Sequence, residues 1–448
     1  MRDIVVVAIL LGSVPAILVW PYYGILLWFW VGIFTPHRWA YGFSRSLPAA
    51  LCVAVPTMVG AVFAKKNKHI FTREMILLLL LWGWFALTVY HATTVPTFGS
   101  HVHMAEDKLI EISKILLMTV MAVVLVRTTA QLKVLFMVVG VSLGALAVKG
   151  GLFGILTGGA YRVFGTPDSY IADNNDFALA LNMALGILFF TRRDTTNKWA
   201  RFAFLVLFLA SVLCVILSYS RGGLLGLIAV SSLLAVKAKR KLVGVALLAT
   251  VTMALITFAP AAWQSRMDNL FAGHLDGSAE QRLASWAFAW NFAGHYPVTG
   301  GGFECFTPEQ FQVYATRRMP GDFASSGPHS IYFQVLAEQG FTGFFLFYSL
   351  VASCVFRAYS IRRKARRDPR LVVLIPYTHM IELGLAGYVV SGAFLGRAYF
   401  DLYFFLVAAT ISTTLIAKRL ASTPIRVEEQ VEELPDENGV LATVGRSA

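Results

Sequence analysis

Residues 200–218 read ARFAFLVLFLASVLCVILS, with one cation near the start and otherwise apolar or small side chains. On one side stands the basic segment RRDTTNKWAR (192–201), and on the other SYSRGG (218–223). About 20 consecutive apolar residues are what an α-helix needs to cross a hydrocarbon core of roughly 30 Å. Comparable runs recur at 47–63, 75–91, 108–126, 133–156, 174–190, 222–236, 241–258, 330–357, 371–394 and 398–417. Of the 448 residues, 57% are hydrophobic and 14% charged, whereas soluble domains carry about 25% charged residues. The pattern predicts an all-α integral membrane protein, a polytopic bundle of about 12 transmembrane helices with one long loop. An outer-membrane barrel would show ten-residue alternating segments instead, and none is present.

Charge distribution assigns sides. The basic connections AKKNKH (64–69), RTTAQLK (127–133), RRDTTNKWAR, KAKRK (237–241) and RAYSIRRKARRDPR (357–370) fall on one side if the spans alternate. The positive-inside rule makes that side cytoplasmic, and it accounts for the net charge of +13 without nucleic acid. The other side receives 92–107, 157–173, the SYSRGG hairpin and a loop over about 259–329. The chain divides accordingly into N-terminal helices (1–258), that loop, C-terminal helices (330–420) and a tail (421–448). The tail contains VEEQVEELPDENG (427–439), whose acidic composition predicts disorder on the cytoplasmic side.

The first run, IVVVAILLGSVPAILVW (4–20), lacks a small-residue cleavage site and leads into more membrane-like sequence, so it reads as a retained helix. Residues 4–34 are long for one upright helix and short for two, with Pro21 between the halves. Parity with a cytoplasmic N terminus requires them to cross once, with both termini inside. Of four cysteines, only Cys305 lies in the long loop, which excludes a disulfide framework there.

The unusual polar residues fall opposite the basic connections. His329, in GPHSIYFQVLAEQG (327–340), sits at the lip of an apolar run, with Ser330 as a candidate helix cap. A helix N-terminus and nearby guanidinium groups would keep its imidazole neutral, as a general base requires. The other reading is a polar surface residue at a loop end. Tyr332, Phe333 and Leu336 continue its face as packing or as an apolar groove, and Glu338 points away as a structural group. Arg221 either snorkels to headgroups or binds a ligand. With Arg162 and Arg282 on the same side, several guanidinium groups suit an anion, and a diphosphate fits their bidentate bonding.

The segment from Gln281 predicts an amphipathic helix carrying Arg282, Trp286 and Ala289 or Trp290, its tryptophans read as interface aromatics. His101 and His103 in GSHVHMAED (99–107) are a weak metal signal, and no metal site is predicted. No phosphate-binding loop or dinucleotide fingerprint is visible, nor an inverted pair of broken helices of the transporter kind. Transport remains the alternative of another class, which essential charges near the bilayer midplane would mark.

YRVFGTPDSYIADNNDFALAL (161–181), SYSRGGLLG (218–226), QRLASWAFAWNFAGHYPVTGGGF (281–303) and GPHSIYFQVLAEQGFTG (327–343), in that order, resemble the O-antigen ligase and polymerase superfamily. The first 44 residues look like the ligase-like proteins found beside exosortase systems. The resemblance implies a GT-C-like glycosyltransferase of the bacterial inner membrane with a periplasmic site. It would move a glycan from undecaprenyl diphosphate to a sugar hydroxyl of lipid A core, inverting the anomeric centre without cofactor, metal or ATP. It assigns Arg221 and Arg282 to the diphosphate, with Arg162 as an additional contact, and His329 to deprotonation of the acceptor. Polymerases and protein O-oligosaccharyltransferases share these motifs.

Overall fold

The computed structural model describes residues 2–67, 69–99, 101–237, 277–317, 319 and 323–423. The expected span at 241–258, the loop residues Trp263, Arg266, His274 and Arg318, and the acidic tail lie outside the described residues. Structure is helical over 79%, with no strand among the described residues, so the chain is an α-helical membrane protein. In order the helices are α1 (Arg2–Val19), α2 (Tyr22–Phe34), α3 (Ala49–Phe63), α4 (Arg73–Thr94), α5 (Val102–Leu125), α6 (Thr129–Leu156) and α7 (Asn174–Asp194). They continue as α8 (Lys198–Leu217), α9 (Arg221–Lys237), α10 (Gly277–His295), α11 (Pro308–Tyr314), α12 (Ile331–Ala365), α13 (Ile375–Ser391) and α14 (Asp401–Ser422). Seven described segments are long and apolar enough to cross a membrane, and α2 and α3 are shorter apolar helices.

Local chemistry sets the helix starts. Thr72, Asp173, Asn197 and Ser330 each accept a hydrogen bond from a first-turn N–H, and Thr128 with Gln131 forms a reciprocal capping box. α7 and α14 are buried along most of their length and form the centre of the bundle. The other helices pack round them and leave Leu51, Leu80, Leu117 and Leu209 exposed, as lipid-facing surface permits.

The basic connections gather at one end. Asn67 donates to the Val123 carbonyl and accepts from Arg419 at 2.7 Å, and Arg419 also donates to the Arg127 carbonyl. Lys133 lies 3.7 Å from Asp194, Lys237 and Arg362 share Glu382 at 2.8 and 2.7 Å, and Arg370 donates to the Thr423 carbonyl. Near this end Glu74 is fully buried and receives Arg357 at 3.0 and 3.3 Å and Ser353 at 2.8 Å. That bidentate pair ties α4 to α12 and satisfies a carboxylate that would be costly alone.

Two expectations are corrected. Residues 4–34 do not cross once. Asp3 accepts from the Ser44 N–H and hydroxyl at 3.1 and 2.8 Å, and Arg2 donates to the Trp39 carbonyl, at the end away from the basic connections. Tyr22, after the turn at Pro21, donates to the Gln131 carbonyl at the basic end. α1 and α2 are therefore antiparallel, and the N-terminal residues lie at the end opposite the one expected. Proline breaks the helix because it lacks the N–H and clashes with the preceding turn, and at Pro21 the chain reverses where a single crossing was expected. Among the described residues after 35, the basic connections share one end as expected.

The second correction concerns 330–357, expected as one uninterrupted span. α12 breaks at Gly340, where φ is 63° and ψ −174°. The turn after α10 fills the break: Gly301 and Gly302 donate to the Ala337 and Glu338 carbonyls, both at 2.9 Å, and Phe341 donates to the Pro297 carbonyl at 2.8 Å. Carbonyls orphaned by the break are thus satisfied by backbone. Glycine is required because a Cβ at 300 would stand 2.4 Å from the Ala337 oxygen.

Candidate active site

His329 occupies the loop just ahead of α12, with a left-handed backbone (φ 46°) uncommon for a residue with a side chain. Ser330 caps the helix by accepting from the Tyr332 N–H at 3.3 Å. Ser326 Oγ lies 3.1 Å from His329 Nε2. α10 supports the same loop: Trp286 donates to the Pro328 carbonyl at 3.2 Å and stacks on Phe333 at 5.3 Å. Trp286, expected at the membrane interface, is turned inward to hold the histidine loop, whereas Trp290 is exposed. The buried stripe Ala284, Phe288 and Phe292 fixes which face of α10 meets the bundle.

Burial pushes the His329 imidazole below its ordinary range, the Arg282 guanidinium pushes it further, and Asp173 partly opposes them. Arg282 and His329 thus share one electrostatic environment, with Asp173 at its edge. The expected contribution of an arginine is present, and desolvation leads among the causes.

Arg221 opens α9. Ser220 Oγ accepts from the Gly223 N–H at 3.0 Å, while Asn174 and Asn182 donate to the Ser218 and Gly223 carbonyls, each at 2.7 Å. A Cβ on Gly226 would stand 1.9 Å from Ser391 Oγ and one on Gly222 3.1 Å from Phe394 Cβ, so the glycines let α9 approach the 391–397 turn. Phe394 in turn lies 6.4 Å from Trp286, and a Cβ on Gly396 would meet Pro328 at 2.7 Å. The 391–397 turn therefore joins the start of α9 to the His329 loop. Arg162 lies apart. It lines a cavity of about 690 Å³ with Trp39, Lys149, Tyr161 and Phe164, and none of Arg221, Arg282 and His329 lines it.

Other expectations resolve by packing. Phe333 and Leu336 pack within the protein, and Tyr332 donates to the Val389 carbonyl at 3.0 Å. Glu338 is 2% exposed and accepts from the Glu304 N–H at 3.2 Å, a bond to the loop. His101 is fully buried, its Nε2 2.9 Å from the Gly301 carbonyl, while the His103 side chain is 92% exposed beside Glu106. The two histidines point apart. All four cysteines are free.

Two residues were missed. Asp173 was quoted only as part of a motif, and Arg397 was not singled out; Arg397 pairs with Asp176 at 2.8 and 2.6 Å across the bundle. The signal for both was an ionisable residue at the end of an apolar run on the side already holding the histidine.

The bundle and this cluster at one end of it define a polytopic α-helical membrane protein. Residues 204–348 match the model of the O-antigen ligase family, and residues 1–196 match that of a family of unknown function (DUF5935). The first of these matches, over residues 204–348, supports the O-antigen ligase and polymerase superfamily. No curated protein matches it. The family carries glycosyltransferase-like activity in O-antigen processing and uses lipid-linked glycans.

Proposed function

We propose that this protein is an O-antigen ligase, moving a glycan from undecaprenyl diphosphate to a sugar hydroxyl of lipid A core. One observation carries the chemistry: a half-buried histidine, biased toward its neutral form, within the field of Arg282. In this reading Nε2–H donates to Ser326, which leaves the Nδ1 lone pair to take the acceptor proton. The acceptor oxygen attacks the anomeric carbon from the face opposite the leaving group, and the carbon–oxygen bond to the diphosphate breaks. Arg221 and Arg282 stabilise the negative charge that develops on the departing diphosphate, with Arg162 contacting the donor more remotely. The leaving group is already activated, so the scheme uses neither ATP nor a metal ion.

The protein is read as sitting in the bacterial inner membrane, its basic end cytoplasmic by the positive-inside rule and its site periplasmic. Helices within 1–258 and 330–420 would flank a periplasmic loop over 259–329, and the tail from 421 would lie in the cytoplasm. The deciding experiment supplies purified protein with an undecaprenyl diphosphate glycan and, separately, lipid A core, a second glycan and an acceptor peptide. Transfer to lipid A core alone supports ligation; transfer to the second glycan or the peptide replaces it with polymerisation or protein glycosylation.

Two variants probe the assigned roles. Arg221→Lys keeps the charge but loses the planar fork, so kcat/KM is expected to fall about tenfold or more; steady-state kinetics at wild-type levels would make Arg221 a headgroup anchor. Arg282→Gln removes one of the two influences that lower the His329 pKa. The acid limb of the pH–rate profile, expected below about 6.5 in the parent, should therefore move toward neutral pH. A limb that stays in place would mean that another group titrates.

A further inference from the structure

A second cavity, about 610 Å³, opens among α2, α3 and α5, and none of His329, Arg221 and Arg282 lines it. Its walls differ sharply along its length. Ala54 and Met58 of α3 and Leu117 and Met118 of α5 form an apolar part, while Arg38, Lys114 and Arg397 supply cations. Leu51 and Leu117, both in the lining, are 47% and 36% exposed, so the cavity is open sideways on a surface that faces lipid.

Three features are unexplained by the fold alone. Lys114 begins the otherwise apolar run KILLMTVMAVVL (114–125), where a charge is costly unless it has a function or partner. Among the described residues, neither it nor Arg38 engages in a side-chain hydrogen bond or ion pair. The one carboxylate in the lining, Asp168, is paired with Arg45, and Arg397 is paired with Asp176. Thr35, which also lines the cavity, is 6% exposed, holds a left-handed backbone (φ 47°), and its hydroxyl has no hydrogen-bond partner. A β-branched residue in that conformation is a strained outlier. Thr35 stands three residues before Arg38, and both line the cavity.

We infer that this cavity binds a phosphate-bearing membrane lipid, its phosphate held by Arg38, Lys114 and Thr35 and its hydrocarbon chains lying along α3 and α5. The polarity is that of one leaflet: Thr35 and Arg38 belong to the connection at the site end of the bundle, and the apolar part extends from it toward the bilayer interior. Guanidinium and ammonium groups in such surroundings suit a phosphate oxyanion, and apolar walls open to lipid suit chains rather than a soluble anion. The inference stands independently of the proposed transfer reaction.

The test uses the full-length protein in nanodiscs with a phosphatidylglycerol that carries a diazirine in its acyl chain. Photolabelling is expected on peptides containing Met58 and Met118. The double variant R38Q/K114Q should lower it about tenfold or more, the effect of losing charge-assisted contacts, and Lys114→Arg should retain it. Leu117→Trp, which fills the apolar part and leaves the charges, should lower labelling too, with gel filtration verifying that each variant is folded. Competition by unlabelled phosphatidylglycerol or by farnesyl phosphate supports the site and reports which chains it prefers. Equal labelling by a diacylglycerol probe, displacement by inorganic phosphate, or unchanged labelling in both the double and the tryptophan variants overturns it.

Discussion

Replacing His329 with alanine is expected to lower the transfer rate about a hundred- to ten-thousandfold, the range contributed by a positioned general base, with donor binding nearly unchanged. The expectation rests on separation of roles. In the proposed scheme the guanidinium groups hold the diphosphate and the imidazole touches only the acceptor. The histidine is also the residue whose surroundings are specialised. Its backbone is left-handed, its ring is fixed by Ser326, and its loop is held by Trp286 from α10. Single-turnover kinetics with labelled donor, together with donor binding by the same variant, measure the two effects separately. Turnover at the parental rate would remove the residue from the chemistry, and equal loss of binding and rate would make it a donor contact.

The second large effect is structural. Gly340→Ala is expected to abolish most folded protein. A Cβ at this position would stand 2.4 Å from the Val298 oxygen and 2.8 Å from the Gly300 nitrogen, both backbone atoms that cannot rotate away. Its backbone conformation is in a region essentially reserved for glycine, costing another residue about 1–3 kcal/mol before any clash. The internal control is Gly83→Ala in α4, where nothing lies within 4 Å of the added carbon and alanine favours the helix. Fluorescence-detected gel filtration after heating should separate the two: loss of the monodisperse peak for the first, no loss for the second. A Gly340→Ala protein as stable as the parent would show that the break does not depend on glycine.

Much of the fold was legible because membrane physics writes it into simple patterns. Apolar length marked the spans, and Lys and Arg in the connections marked the sides; the gathering of residues 67, 127, 133, 237, 362 and 370 at one end follows directly from those patterns. The N-terminal hairpin was misread because α2 has 13 residues, below the length that defines a span, so proline chemistry had to decide and was outvoted by parity. The break in α12 left a trace in the run of glycines at 300–302, but it is a tertiary event: one segment must know that another will supply its hydrogen bonds. Of the site, His329, Arg221 and Arg282 stood out as polar residues beside apolar runs. Asp173 was hidden by its second task as the cap of α7, and Trp286 by the general habit of tryptophan at bilayer boundaries.

The interruption at residue 340 also bears on how the protein meets bilayers of different thickness. Spans accommodate mismatch by tilting or kinking, and a continuous α12 of 35 residues would be a lever roughly 52 Å long at about 1.5 Å per residue. Any swing of its lower part would then carry the imidazole at its tip through an arc. Because α12 breaks at Gly340 and both limbs bond to the turn after α10, Ala337 and Glu338 on one side and Phe341 on the other, the position of the reacting group is set by that turn and α10 and not by the full length of the helix.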